Sequence, residues 1–306
     1  MIFEFALEPE VLSKPESIRY FLEQFDVHKG RLIAEFPKHW SSLVYKMWAR
    51  QLKPVERKRY GILLESLSDK ILASDADRPY VSADWLENAE SVQDSNRNPF
   101  RAIVAATNPR SHSAVLVADD VDEATPLWHV KRQDKIERKP AEFARVATPL
   151  IQISKHILLI DPYFDPCNPT FQSSLRAMLT PLAKRSSTPA RIELHCVIHS
   201  RSSATFWSDC KTDLPGLIPT GIMVSVIRWT LTPGGERFHR RYVLTERGGL
   251  AFEGGLDRGA DGQTTDVYIL EAALRTERWK EYQSDSTSFA RDADGPVKIV
   301  GTRRMW

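Results

Sequence analysis

The sequence predicts an α/β protein: a mixed, largely parallel sheet covered by helices on both faces, preceded by a mostly helical N-terminal domain. Three observations lead there. From residue 141 onward, short β-branched runs alternate with helix-length amphipathic segments, the rhythm of strand–helix–strand units. Before residue 140, apolar residues recur mainly at helical spacing. And 306 residues with 42% hydrophobic and 27% charged side chains are enough for two ordered domains, here placed at 1–140 and 141–306.

In the first domain, Pro15 opens a helix over 15–22. A second helix follows Pro37, with Trp40, Leu43, Val44, Met47 and Trp48 on one stripe. A third starts at Pro54, with Tyr60, Leu63, Leu64, Leu67 and Ile71 on one face. Ser82 to Glu87 has the form of a capping box leading into a short helix. The runs 101–106 and 114–118 are short, apolar and β-branched, and are predicted to be two buried strands.

In the second domain, residues 141–154 form a helix in which Pro149 is a candidate kink. Strands are predicted at 156–164, 190–198, 221–231, 238–245 and 250–254, with a turn at 246–249. Helices are expected over 170–184 and 205–217, and the segment 267–282 reads as a strand running into a helix. Ligands of such sheets gather at strand ends, so residues there carry more functional weight than residues in mid-helix.

The formal net charge is +2, so any anion site has to be local. Three cysteines, Cys167, Cys196 and Cys210, make no C-x-x-C pair and no zinc pattern, and fit a reducing compartment. No cofactor or metal motif is present. The start, MIFEFALEPEVL, lacks a basic leader, and no stretch approaches the roughly 20 apolar residues of a membrane span. The expectation is a cytoplasmic protein without membrane contact.

Chemistry concentrates in FHRRYVLTERGGLAFEGGLD, residues 238–257. On a strand, residues two apart point the same way, so His239 and Arg241 share one side. An imidazole beside a fixed cation suits a phosphodiester: the histidine attacks phosphorus and the cation neutralises the non-bridging oxygens. Glu246 follows, and a carboxylate can orient an imidazole and favour its charged form. Gly254 and Gly255 let backbone approach a phosphate, and Asp257 follows them.

This stretch resembles the motif of the phospholipase D superfamily: a histidine, a lysine two residues on, an aspartate five further, then paired small residues before an asparagine. Arg241, Glu246 and Asp257 stand where that pattern has Lys, Asp and Asn. The resemblance covers residues 141–285. It implies a phospholipase-D-like domain, a metal-independent phosphodiesterase with His239 as nucleophile, Arg241 as phosphate clamp and Glu246 as orienting carboxylate. Gly254, Gly255 and Asp257 would line the substrate. Superfamily sites normally use two motifs. The only second candidate, Trp128-His129-Val130-Lys131, has Ile at position 136 and runs into a polar, basic segment read as a solvated loop. One motif per chain implies a homodimer that pairs two copies of His239.

The leading expectation is therefore a nuclease, with the N-terminal domain binding substrate or a partner protein. Chains of this layout resemble components of bacterial anti-phage defence systems. The alternative is a catalytically degenerate subunit that binds nucleic acid or scaffolds an assembly. Lys131 and Arg132, in the basic segment 131–139, are candidates to flank the substrate. The cluster Arg50, Lys53, Arg57, Lys58 and Arg59 reads as the wet face of a helix. Asp161 and Asp165 read as turn formers near a strand end, His195 and His199 as structural, and the tail 303–306 as a possible docking segment.

Overall fold

The computed structural model describes the chain apart from residues 74–77, 186–190, 200–201, 232–237 and 305–306, and apart from the side chains of Arg50 and Lys184. Those omissions take in part of the 50–59 basic cluster and the last two residues of the tail. The chain forms two compact units, Met1–Arg132 and Gln133–Trp306.

The N-terminal unit is built on a parallel sheet. Its strands are β1 (Phe3–Leu7), β2 (Arg31–Ala34), β3 (Ile71–Leu72), β4 (Ile103–Ala105) and β5 (Val115–Val117), in the order β3-β2-β1-β4-β5. The helices are α1 (Pro15–Gln24), α2 (Trp40–Trp48), α3 (Pro54–Ser66) and α4 (Trp85–Asp94). Helices α1 to α3 cover one face, where Ile18, Phe21, Trp40, Val44 and Tyr60 pack on Phe5, Leu7, Ile33 and Val104. Helix α4 covers the other, with Trp85, Leu86, Ala89 and Val92 on Ala6, Ala34, Ile103 and Val115. Asp84 caps α4 by accepting the N–H of Glu87, while the Ser82 hydroxyl donates to the Glu87 carboxylate.

Both strands expected in this half are present. The mostly helical description is corrected: the helices are layers on a sheet whose first three strands escape notice. Strands buried on both faces carry no alternation, and β2 and β3 are too short to show a period. The sequence of β2 also begins with a charge. Arg31 is 2% exposed, its guanidinium lying over the Trp128 ring and bound to the Glu123 carboxylate at 3.0 and 2.7 Å.

The C-terminal unit contains a nine-stranded mixed sheet. Its strands are β6 (Gln133–Glu137), β7 (His156–Ile160), β8 (Arg191–Val197), β9 (Met223–Thr230), β10 (Arg241–Thr245), β11 (Gly249–Phe252), β12 (Thr264–Ile269), β13 (Ala290–Arg291) and β14 (Val297–Val300). The order is β13-β9-β8-β7-β10-β11-β12-β6, with β14 also on β9; β7, β8 and β9 run parallel and the other pairs antiparallel. The helices are α5 (Pro140–Ile153), α6 (Pro169–Leu179), α7 (Phe206–Asp213) and α8 (Ala272–Glu281). On one face Leu158, Ile160, Tyr242 and Leu244 pack with Tyr282 and Trp279. On the other, Phe143 of α5 meets Phe252 of β11 edge to face.

Pro149 sits inside α5 without ending it. A mid-helix proline costs about 3 kcal/mol, and each large buried apolar side chain contributes about 1.5–3 kcal/mol. Phe143, Val146, Leu150, Ile151 and Ile153 are all buried along this helix, so packing wins.

The boundary falls before Gln133, not at 140, because the segment read as a basic loop is the edge strand β6. Thr265 of β12 pairs with Ile136, which is 2% exposed, while Gln133, Lys135 and Glu137 face outward. Charged outward positions blunt a sheet edge and hide the strand from a hydrophobicity reading. Among the described residues no helix is long and apolar enough to cross a membrane.

Candidate active site

Strand β10 pairs with β7 on one side and β11 on the other, with Tyr242 opposite Ile160 and Arg241 opposite Phe252. Tyr242 and Leu244 are buried among the apolar residues below α8. Arg241, the next residue in the pleat, turns to the other face. Its guanidinium lies over the Tyr163 ring, 5.4 Å from the ring centre, and its buried Nε has no hydrogen-bond partner among the described residues. His239 precedes the strand by two residues and is exposed. His239, Arg240 and Arg241 line a cleft of about 210 Å3 with Tyr242, Ala251, Glu253 and Tyr268; Ala251 and Tyr268 are in register with Tyr242, so the cleft runs along the Tyr242 face and the Arg241 guanidinium, over Tyr163, points away from it.

Asp161, directly after β7, is the buried carboxylate of this region at 2% exposure. It accepts the N–H of Tyr163 at 2.9 Å and of Leu256 at 2.7 Å. It therefore fastens the loop after β7 to the loop carrying Gly254, Gly255 and Asp257. Burial pushes its carboxyl up from the ordinary range, against the pull of the two N–H groups and of the Arg241 charge. The turn-former reading of Asp161 holds for Tyr163 and misses the long-range bond to Leu256.

Asp257 contacts the guanidinium of Arg138, the residue that follows β6, at 2.5 Å. A carboxylate at this position thus has its own counter-charge. Gly254 and Gly255 are crowded by protein. A Cβ on Gly255 would stand 2.1 Å from Oδ1 of Asp257, and one on Gly254 would stand 3.1 Å from Oγ1 of Thr265. The close approach that requires glycine here is to side chains of the same unit.

Glu246 is not beside His239. It sits beyond the far end of β10, where its carboxylate accepts the N–H of Lys155 at 2.7 Å and of His156 at 2.9 Å. Five strand residues at about 3.3 Å each separate it from the histidine. The orienting role is replaced by a structural one: Glu246 anchors the entry to β7. Lys131 and Arg132 are exposed and end the N-terminal unit, whereas every residue lining the His239 cleft belongs to the C-terminal unit. The structure places His239 and Arg241 along one cleft, with the Arg241 guanidinium turned to Tyr163, and Gly254, Gly255 and Asp257 in one loop; it separates Glu246.

Sequence reasoning left Arg138 inside the supposed loop, passed over Tyr163 and gave Asp161 too little weight. The usable signal was position: Asp161 and Tyr163 directly follow a buried parallel strand. His195 is structural as expected. Trp229 donates its indole N–H to Nδ1 of His195 at 3.0 Å, and Nε2 faces the buried Glu193 carboxylate at 3.3 Å. Glu193 also meets His156 Nε2 at 3.3 Å. His199 stacks edge to face with Tyr163, 5.4 Å between ring centres, so it adjoins the Arg241 side of the sheet. Among the described residues no group of three or more His, Cys, Asp or Glu side chains is placed to hold a metal ion.

No protein-family model matches the chain, and no curated protein does. Among solved structures, an archaeal chromatin protein, TrmBL2, described as having a novel mode of DNA binding, is 14% identical with a TM-score of 0.27, over 50% of this chain and 53% of that one. A polyphosphate kinase from Porphyromonas gingivalis is 9% identical with a TM-score of 0.32, over 81% of this chain and 37% of that one. The chain spans about half the length of the first and little more than a third of the second.

Proposed function

We propose that the C-terminal unit is a phospholipase-D-like domain that binds and cleaves phosphodiesters, with nucleic acid as substrate, and that it works as a homodimer. The observation that carries this reading is the cleft at the start of β10, lined by His239, Arg240 and Arg241. The imidazole is exposed at the mouth of a cleft, where a phosphodiester can reach it. In this reading the Arg241 guanidinium, which lies over Tyr163, would swing toward the bound phosphate to give charge and directional donors to its non-bridging oxygens.

The chemistry is in-line displacement. Nε2 or Nδ1 of His239 forms a bond to phosphorus as the P–O bond to the leaving group breaks, and a proton passes to the leaving oxygen. Water then attacks the phosphohistidine and releases the phosphate monoester and the free imidazole. The acid in this scheme is the second copy of His239, presented across a two-fold axis.

A second reading is favoured by one specific observation. The carboxylate expected to orient His239 is occupied at the other end of the strand. On this reading the domain holds a phosphodiester without turning it over.

Incubating the full chain with single- and double-stranded nucleic acid in EDTA, beside His239→Ala, separates the two. Cleavage lost in the variant supports the enzyme. Binding without cleavage, unchanged in the variant, supports the non-catalytic reading. A monomeric mass at micromolar concentration, with activity retained, overturns the shared-site mechanism.

A further inference from the structure

The N-terminal unit has a crevice that the proposed phosphodiester site does not use. Its sheet is wound in two directions. From β1 the chain moves through α1 to β2 and on to β3, with α1 to α3 on one face. It then returns through α4, on the opposite face, to β4 and β5. The winding reverses between β1 and β4. In such sheets the connections leave the carboxyl ends of these two strands on opposite faces, and a crevice opens between them where ligands bind.

A cleft of about 500 Å3 lies there, within the volume range of small-molecule sites. Its walls come from the segments that leave three neighbouring strands: Val11 and Ser13 after β1, Ala106 after β4, and Ala118 and Val121 after β5. Phe21 of α1 completes an apolar floor.

The lining decides the ligand chemistry. A phosphate would need free backbone N–H groups at this crevice, usually from a glycine-rich turn. Residues 8–14, EPEVLSK, contain no glycine, and Pro9 and Pro15 have no N–H to give. The N–H of Ala106 is already bound to the Glu8 carboxylate at 2.7 Å. Glu16 occupies the first turn of α1, where an anion would otherwise sit. Around the opening stand the carboxylates of Glu10, Glu16 and Asp119 with a single cation, Lys14. An anionic ligand is disfavoured, and a cation with an apolar body is matched at both ends.

We infer that this cleft is a binding site for a small organic cation, an amine or amidine carried on an apolar body, at the β1–β4 crevice of the N-terminal unit. The apolar part rests on Val11, Phe21 and Val121, and the charge faces Glu16 and Asp119. The site stands independently of the phosphodiesterase reading.

Benzamidine, benzamide and benzoate are near-isosteric probes that differ in charge. Ligand-observed NMR titration of the full chain should show saturable benzamidine binding, about ten-fold tighter than benzamide and tighter still than benzoate or ATP. Glu16→Gln with Asp119→Asn, both exposed positions, should bring benzamidine to the level of benzamide. Ala106→Phe should remove binding of both by filling the floor, and His239→Ala should leave binding unchanged. Absence of saturable benzamidine binding, equal affinity for the three probes, tighter binding of ATP, or indifference to the Ala106 and carboxylate variants overturns the inference.

Discussion

The guanidinium of Arg138 and the carboxylate of Asp257 meet at 2.5 Å, joining the end of edge strand β6 to the loop that follows β11. Both side chains are largely buried, at 20% and 26% exposure. The pair gives Asp257 a counter-charge, which the proposed phosphodiester site needs of an acidic residue in its loop. Arg138→Ala leaves Asp257 uncompensated and should weaken nucleic-acid affinity about five-fold, roughly 1 kcal/mol. Adding Asp257→Asn should restore it. A filter-binding double-mutant cycle reads the coupling, and strictly additive effects would show that the two residues act separately.

Glu246 separates two accounts of the motif. Its carboxylate accepts two backbone N–H groups from residues 155 and 156. Glu246→Ala should lower unfolding free energy by about 1–3 kcal/mol in urea titrations and leave the rate per folded molecule unchanged. A rate loss of a hundred-fold or more at full folding, on the order expected of an acid–base partner, would restore the orienting role.

Asp161 ties the Gly254–Asp257 loop to the end of β7 through the Leu256 N–H. Asp161→Ala strands the N–H groups of Tyr163 and Leu256 and should cost about 2–4 kcal/mol, with weaker phosphate binding because the loop loses its tie to β7. Asp161→Asn keeps an acceptor and should recover part of both. Equal behaviour of the two variants in thermal denaturation and phosphate titration would argue against the hydrogen bonds as the cause.

The Trp229 indole is a donor only, so Nδ1 of His195 is the acceptor and its proton sits on Nε2, facing Glu193. Trp229→Phe should cost about 1–3 kcal/mol through the orphaned buried nitrogen, beyond any packing loss. Nitrogen-15 NMR of the His195 ring should report the Nε2–H tautomer in the native chain.

The same cluster sets a pH dependence. Burial holds His195 below its ordinary 6.5, so on acidification the unfolded chain takes up that proton first, and stability falls as pH drops below about 6.5. Burial alone would raise Glu193, but hydrogen bonds from His156 and His195 overcome it and hold the carboxyl below its ordinary 4.5. Its contribution is present above 4.5 and is lost as pH falls further. The two effects have the same sign. The urea midpoint should fall steadily between pH 7 and 4, and Glu193→Gln should flatten the lower part of that slope. A midpoint independent of pH over this range would remove the cluster as its source.

Much of the C-terminal unit is legible in the sequence because its elements are long enough to show a period: α5, β8, β9 and β12 are found close to their expected positions. The site is half legible. His239 and Arg241 both line the cleft at the start of β10 because they are near neighbours in the chain, but the strand begins only at Arg241 and its guanidinium turns to Tyr163. Glu246 stands apart because seven residues of extended chain carry its side chain away from the histidine, to the N–H groups of Lys155 and His156. Arg138 and Asp161 act through partners 119 and 95 positions away, which spacing cannot reveal.

By itself the sequence determined the α/β class, the helices with amphipathic stripes and the strands of β-branched residues, because each depends on contacts within a few residues. Only the tertiary structure decided that the N-terminal half is a parallel sheet with a reversal crevice, that residues 133–137 close a sheet edge, and that Asp257 is neutralised by Arg138. Strand order, the unit boundary and long-range ion pairs arise when distant segments are brought together by burial, and the free energy that selects them is not written in any single stretch of chain.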